Sequence, residues 1–185
     1  MTTPPPLRDH VAVLILDRAA ALLAEHGPAA SMADIAQAAG VGRATLYRHF
    51  PSRDALLQAL ADAAVDDLGD RLDEAGLGEV PVREAVARVC RAFVTTGGKY
   101  IALTRTGHKP ADPGAADRRI GGPLRALLQR GAEEGALRTD IAPDLMLALF
   151  SALIETGLTL AGRVGAEQAA ATVAALFLDG AGARA

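Results

Sequence analysis

Proline and glycine divide this chain into segments, and within each segment the apolar residues return at three- and four-residue steps. Val11, Leu14, Ile15, Ala19, Leu22 and Leu23 form one such stripe, which stops at His26-Gly27-Pro28. That spacing gathers apolar side chains on one face of a helix, whereas a half-buried strand needs strict alternation. Leu57, Leu60, Ala64, Val65, Leu68 and Leu72 repeat the stripe as far as Gly76. Pro81 is a good first-turn residue, and after it Val82, Ala85, Val86, Val89, Cys90, Phe93 and Val94 run at helical period to Gly97-Gly98. Further helical segments are expected at Leu124–Leu128, Leu145–Leu158 and Ala169–Leu178. No window of five or more residues alternates apolar and polar positions with the β-branched enrichment of a strand. The chain is expected to be all-α. Lys109–Ala116, with two prolines and a glycine in eight residues, reads as a loop.

Composition removes several classes of function. A single cysteine, Cys90, cannot form an internal disulfide, so a reducing compartment is expected. Met1–Pro6 is a polar, proline-rich tail without the charged and apolar regions of a secretion signal, which points to the cytoplasm. The longest strongly apolar run, Leu145–Ile154, is ten residues long before Glu155, against the ~18 a membrane span needs, so no membrane is expected as a partner. The four histidines are scattered along the chain, and no metal and no cofactor is expected. With 19 basic and 22 acidic residues the chain is not a wholly basic nucleic-acid binder, so any such activity must be local.

It is local in one place. Ser31 can cap a helix whose first turn carries Asp34, the charge the helix dipole favours there. Ile35 with the small Ala36, Ala38 and Ala39 gives a short helix that another can cross closely. Gly40 falls where a sharp turn needs left-handed backbone. Arg43–Phe50 then forms a second short helix with Leu46 and Phe50 inward. Two short helices about a glycine turn make a helix-turn-helix, whose second helix enters the major groove. From Ile35 through Arg53 there are three arginines, one histidine and no acid, leaving 16 basic against 22 acidic residues elsewhere, a balance of −6. A basic patch on an acidic chain is the footprint of a protein that touches DNA at one end.

The run Ile-Ala-Gln-Ala-Ala-Gly-Val-Gly-Arg-Ala-Thr-Leu-Tyr-Arg-His-Phe-Pro-Ser-Arg-Asp-Ala-Leu-Leu, from Ile35 to Leu57, resembles the TetR family of bacterial transcription regulators. The resemblance implies a three-helix DNA-binding domain over residues 1–53 and a helical domain over 54–185 that binds an effector and dimerises. It implies that Arg43 and Thr45 face base edges, with Gly42 allowing close approach. Tyr47, His49 and Ser31 would hold phosphates, as would Arg53, which stands where the family usually has lysine. Arg48 is open between a phosphate contact and a solvent-facing charge. Phosphate contacts set register; base contacts select sequence.

The body carries weaker signals. Asp144–Leu160 and Glu167–Leu178 are apolar nearly all round, which fits either a central core or the interface of a homodimer. An effector pocket needs apolar lining with a few polar groups, and Phe93, Tyr100, Arg105, His108, Met146 and Phe150 are the candidates. Only four aromatic residues follow Arg53, which leans away from flat dyes and toward an aliphatic or compact ligand. Cys90, on an apolar stripe, reads as a buried structural thiol. The expected function is a repressor released from a near-palindromic DNA operator by a small-molecule effector; the alternative is the same fold controlled by a protein partner. An all-α enzyme is disfavoured, because no phosphate loop, acidic metal cluster or linked Ser/His/Asp set is visible.

Overall fold

The punctuation points of the sequence end helices in the structure. The computed structural model describes residues 7–96 and 107–183, so Tyr100 and Arg105 lie outside the described residues. Helix α1 (Leu7–His26) stops as Gly27 enters a 3₁₀ turn with φ +60°, and α4 (Arg53–Glu74) is followed by Gly76 at φ +57°. No strand occurs among the described residues; Leu137 and Gly182 make an isolated bridge. The all-α expectation holds.

The described residues form two compact units, one of residues 7–64 and 107–111, the other of residues 65–96 and 112–183. The division falls within α4, which supplies its first half to one unit and its second half to the other.

In the first unit α1 packs with α2 (Met32–Ala38), α3 (Arg43–His49) and the start of α4. Ile15, Ala19 and Leu23 meet Ile35, Ala36, Ala39, Leu46, Phe50, Leu56, Leu57 and Leu60 in one buried cluster. Each large apolar side chain so buried contributes about 1.5–3 kcal/mol, which is what fixes helices as short as α2 and α3. Residues 107–111 are tied to α4 by two hydrogen bonds: Gln58 Nε2 donates to the Lys109 carbonyl (3.0 Å) and the Ala111 amide donates to Asp62 Oδ1 (2.9 Å).

In the second unit α5 (Val82–Thr95) buries Val82, Val86, Val89, Cys90 and Phe93 against α8 (Pro143–Val164) and α9 (Ala166–Ala181). Helices α8 and α9 pack along each other, with the Phe150 and Phe177 rings 4.3 Å apart. Gly157 makes the approach possible, since a Cβ there would stand 2.5 Å from Val173 Cγ2. The second half of α4 buries Val65, Leu68 and Leu72, and its Gly69 lies under the Arg119 guanidinium.

Two expectations are corrected. The end of Lys109–Ala116 is helical: Asp112 Oδ1 accepts from the Ala115 amide (3.0 Å) and Pro113 takes the first turn of α6 (Pro113–Ala116). This helix leads through a π turn (Asp117–Gly121) into α7 (Gly122–Glu133). The second correction concerns membrane length. At 22 residues, α8 is long and apolar enough by length and composition to cross a membrane, because threonine, glycine and a lone glutamate interrupt it without making it polar.

Candidate nucleic-acid interface

The geometry of this region begins at Ser31. Its hydroxyl accepts from the Asp34 amide (3.2 Å) and donates to Asp34 Oδ2 (2.6 Å), while the Ser31 amide donates to the same carboxylate oxygen (2.8 Å). This reciprocal capping box satisfies donors that the first turn of α2 would leave bare. The hydroxyl hydrogen bond from Ser31 is the main cause holding the Asp34 carboxyl below its ordinary pKa. The Ser31 hydroxyl proton is therefore engaged within α2.

Gly40 ends α2 at φ +66°, and the Val41 amide returns to the Ala36 carbonyl (3.0 Å). The turn places Leu46 and Phe50 in the core and turns the rest of α3 outward. Arg43, Ala44, Tyr47 and Arg48 are exposed, while Thr45 and His49 are half-buried at the edges of that face. On a helical wheel Ala44 and Arg48 point most directly away from Leu46.

Gly42, the N-cap of α3, has an ordinary φ of −68°, and a Cβ there would meet nothing within 4 Å. Nothing in the protein's own packing requires glycine at this position. The space in front of it is open.

The described arginines differ in their pairing. Arg88, Arg91, Arg118, Arg119, Arg125, Arg130 and Arg138, all in the second unit, lie within 4 Å of a carboxylate. Arg18, Arg71, Arg83 and Arg163 on other helices lack such a partner among the described residues, and so do Arg43 and Arg48 on α3, where no acid lies from Ile35 through Arg53. Arg53 differs from both. Its guanidinium turns inward, donating from Nη1 to the Ala30 carbonyl and from Nη2 to the Pro28 carbonyl (3.1 Å).

Residues 15–60 match the family model described as bacterial regulatory proteins of the tetR family. The chain is 34% identical over 152 residues to the transcriptional repressor LfrR of Mycolicibacterium smegmatis, covering 81% of this chain and 78% of that one. It belongs to the TetR family. NfxB, a transcriptional regulator of Pseudomonas aeruginosa, is 31% identical over 179 residues, covering 92% of this chain and 90% of its own. The crystal structure of LfrR in complex with proflavine superposes with a TM-score of 0.75 at 30% identity, covering 92% of this chain and 96% of that one. As a TetR-family member the chain is a DNA-binding, helix-turn-helix transcriptional regulator and not an enzyme.

The residues expected to line an effector pocket in this TetR-family chain are only partly gathered. Phe93, Met146 and Phe150 are buried in the second unit. Met146 also borders an open cavity of about 410 Å³ with Arg125, Leu128, Gln129, Leu137 and Ile141. His108 belongs to the first unit instead, its Nε2 3.7 Å from Asp54 Oδ1. The grip of Arg119 on α4 and the inward fork of Arg53 emerge only in the structure. The one hint of the fork in the sequence is a cation at a helix N-terminus, where the dipole disfavours it.

Proposed function

We propose that this protein is a repressor that binds a near-palindromic operator as a homodimer and is released by a small-molecule effector. The observation that carries the DNA reading is the outward face of α3, where exposed Arg43 and Arg48 have no carboxylate partner among the described residues and no acid lies from Ile35 through Arg53. Unpaired guanidinium groups suit phosphates and guanine edges, and Gly42 leaves room for a backbone approach. In this reading Arg43 and Thr45 meet base edges, and Tyr47, His49 and Arg48 meet phosphates; Ser31 does so only by giving up its bond to Asp34. Repression takes place in the cytoplasm.

Dimerisation is assigned to α8 and α9. Leu145 and Leu149 on α8 and Leu176 on α9 are 54%, 48% and 59% exposed, and a shallow cavity of about 270 Å³ between the two helices is lined by Leu149, Leu153, Leu176 and Phe177. An apolar face of this kind fits a second copy of itself under two-fold symmetry. The same face accounts for α8 without a membrane.

Effector control is assigned to α4, the one described helix that contributes to both units. An effector releases DNA only to the extent that it binds the released arrangement more tightly, with a coupling of about 1–3 kcal/mol typical of such switches. LfrR, a relative, has been crystallised with the small molecule proflavine, which supports a small-molecule effector here. In this chain Phe150 and Phe177 are buried against each other, which favours an aliphatic or compact ligand.

The test is a duplex selected from a random-sequence library by the wild-type protein. Arg43→Ala should cost about 1–3 kcal/mol per half-site and relax preference at one base pair, while Tyr47→Phe weakens all sequences together. Loss of affinity in both variants with sequence preference unchanged would remove Arg43 from base readout.

A further inference from the structure

Arg53 opens α4, and a cation at that end of a helix opposes the macrodipole. Its side chain is half-buried and forked over two carbonyls, those of Pro28 and Ala30. Both belong to the turn between α1 and α2. Ala30 precedes the Ser31 N-cap, so its carbonyl lies outside the hydrogen-bond ladder of α2. From Ser31 the chain runs through α2, over the Gly40 turn, along α3 and back to α4 at Arg53. The fork thus joins residues 25 positions apart and closes a loop that holds the whole helix-turn-helix.

We infer that Arg53 is a positioning residue: it fixes the presentation of α3 by clamping the α1–α2 turn to the start of α4, and it does not hold the DNA backbone. The inference rests on the reading of α3 as the DNA-reading helix. The choice of arginine follows from the geometry. A planar guanidinium serves two carbonyls from two nitrogens, whereas a lysine ammonium is a compact point charge on a flexible stem. A phosphate contact needs only the charge, so lysine serves it well. The two roles therefore respond oppositely to the same conservative substitution.

The probe is the duplex selected by the wild-type protein, with binding followed across a range of KCl concentrations. Removing one phosphate-binding cation lowers the slope of log K against log salt by about 0.9. Arg53→Gln and Arg53→Lys should both weaken binding about tenfold, on the scale of one broken charge-assisted hydrogen-bond pair, with the salt slope unchanged. The amides of Ser31–Ile35 should exchange faster with solvent in both free variants. A slope that falls by about 0.9 per protomer in Arg53→Gln, with Arg53→Lys restoring wild-type affinity, would overturn the inference. The intact protein supplies a second readout that needs no variant. Nitrogen-15 NMR should show distinct, slowly exchanging Nη signals for Arg53 in the free protein, and they should persist on the duplex. One averaged signal in the free protein, or disappearance of the distinct signals when DNA is added, would equally overturn it. If the wild type selects no duplex at all, the reading of α3 fails, and the NMR of the free protein still decides whether the clamp exists.

Discussion

Gly69 lies in the second half of α4, where helix propensity alone favours alanine by about 1 kcal/mol. The structure gives the reason for glycine. A Cβ at this position would stand 2.7 Å from both Cζ and Nη2 of Arg119. Arg119 reaches α4 from the π turn, pairing with Asp70 (2.5 Å) and Asp73 (3.7 Å) and donating to the Asp66 carbonyl (3.2 Å). Its side chain is 34% exposed and the two carboxylates about 70%, so solvent screening limits the grip to about 1 kcal/mol in all. Gly69→Ala therefore sets two effects of similar size against each other, and net stability should move by less than about 0.5 kcal/mol. The informative quantity is the coupling. Arg119→Ala should cost about 1 kcal/mol in the wild-type background and almost nothing beside Gly69→Ala, because the methyl group has already expelled the guanidinium. Denaturant melts of the four proteins, followed by circular dichroism because the chain has no tryptophan, measure this cycle. Strict additivity would refute the reasoning: the arginine would then bind α4 equally well over a methyl group. A gain of the full 1 kcal/mol in Gly69→Ala would show the same thing.

Other expectations are as direct. Ser31→Ala should cost about 1 kcal/mol through removal of the cap. The folded pKa of Asp34 lies below its ordinary 3.8, so its contribution is present at neutral pH and lost as pH falls below about 4; melts across that range should be flatter in the Ser31 variant. Leu149→Glu with Leu176→Glu should sediment as a monomer at micromolar concentration while retaining its helix content, and a persistent dimer would place the interface elsewhere. Burial pushes the Cys90 thiol up to about 12, so iodoacetamide at pH 8 should leave it untouched until the chain unfolds; labelling within minutes would show that the α5 packing opens readily.

Much of the fold was legible because punctuation and period agree. The stripe ending at Gly27, the Ser31–Asp34 cap, the left-handed Gly40 and the inward Leu46 and Phe50 are all local, and local chemistry is what a sequence displays. The outward residues of α3 follow by elimination once Leu46 is in the core. What was not legible depends on residues distant in the chain. The partners of Arg53 lie more than twenty positions back, and Arg119 finds Gly69 fifty positions away. Either arginine, read alone, is a surface charge. His108 follows the same logic, since its place beside Asp54 is set by where residues 107–111 dock. The short α6 was hidden for another reason: proline and glycine advertise a loop, and the proline instead served as a helix start.

Helix α3 is seven residues long. At 1.5 Å per residue it extends about 10 Å, the rise of roughly three base pairs. A word of three letters in a four-letter alphabet recurs by chance about once in every 64 positions, against the millions of competing sites a genome offers. One copy of this chain therefore could not carry an address. Two copies at a fixed spacing square the odds, and sequence-dependent stiffness of the intervening DNA sharpens them further. On this arithmetic, in the proposed dimer the exposed leucines of α8 and α9, far along the chain from α3, would supply half of the text that the protein can read.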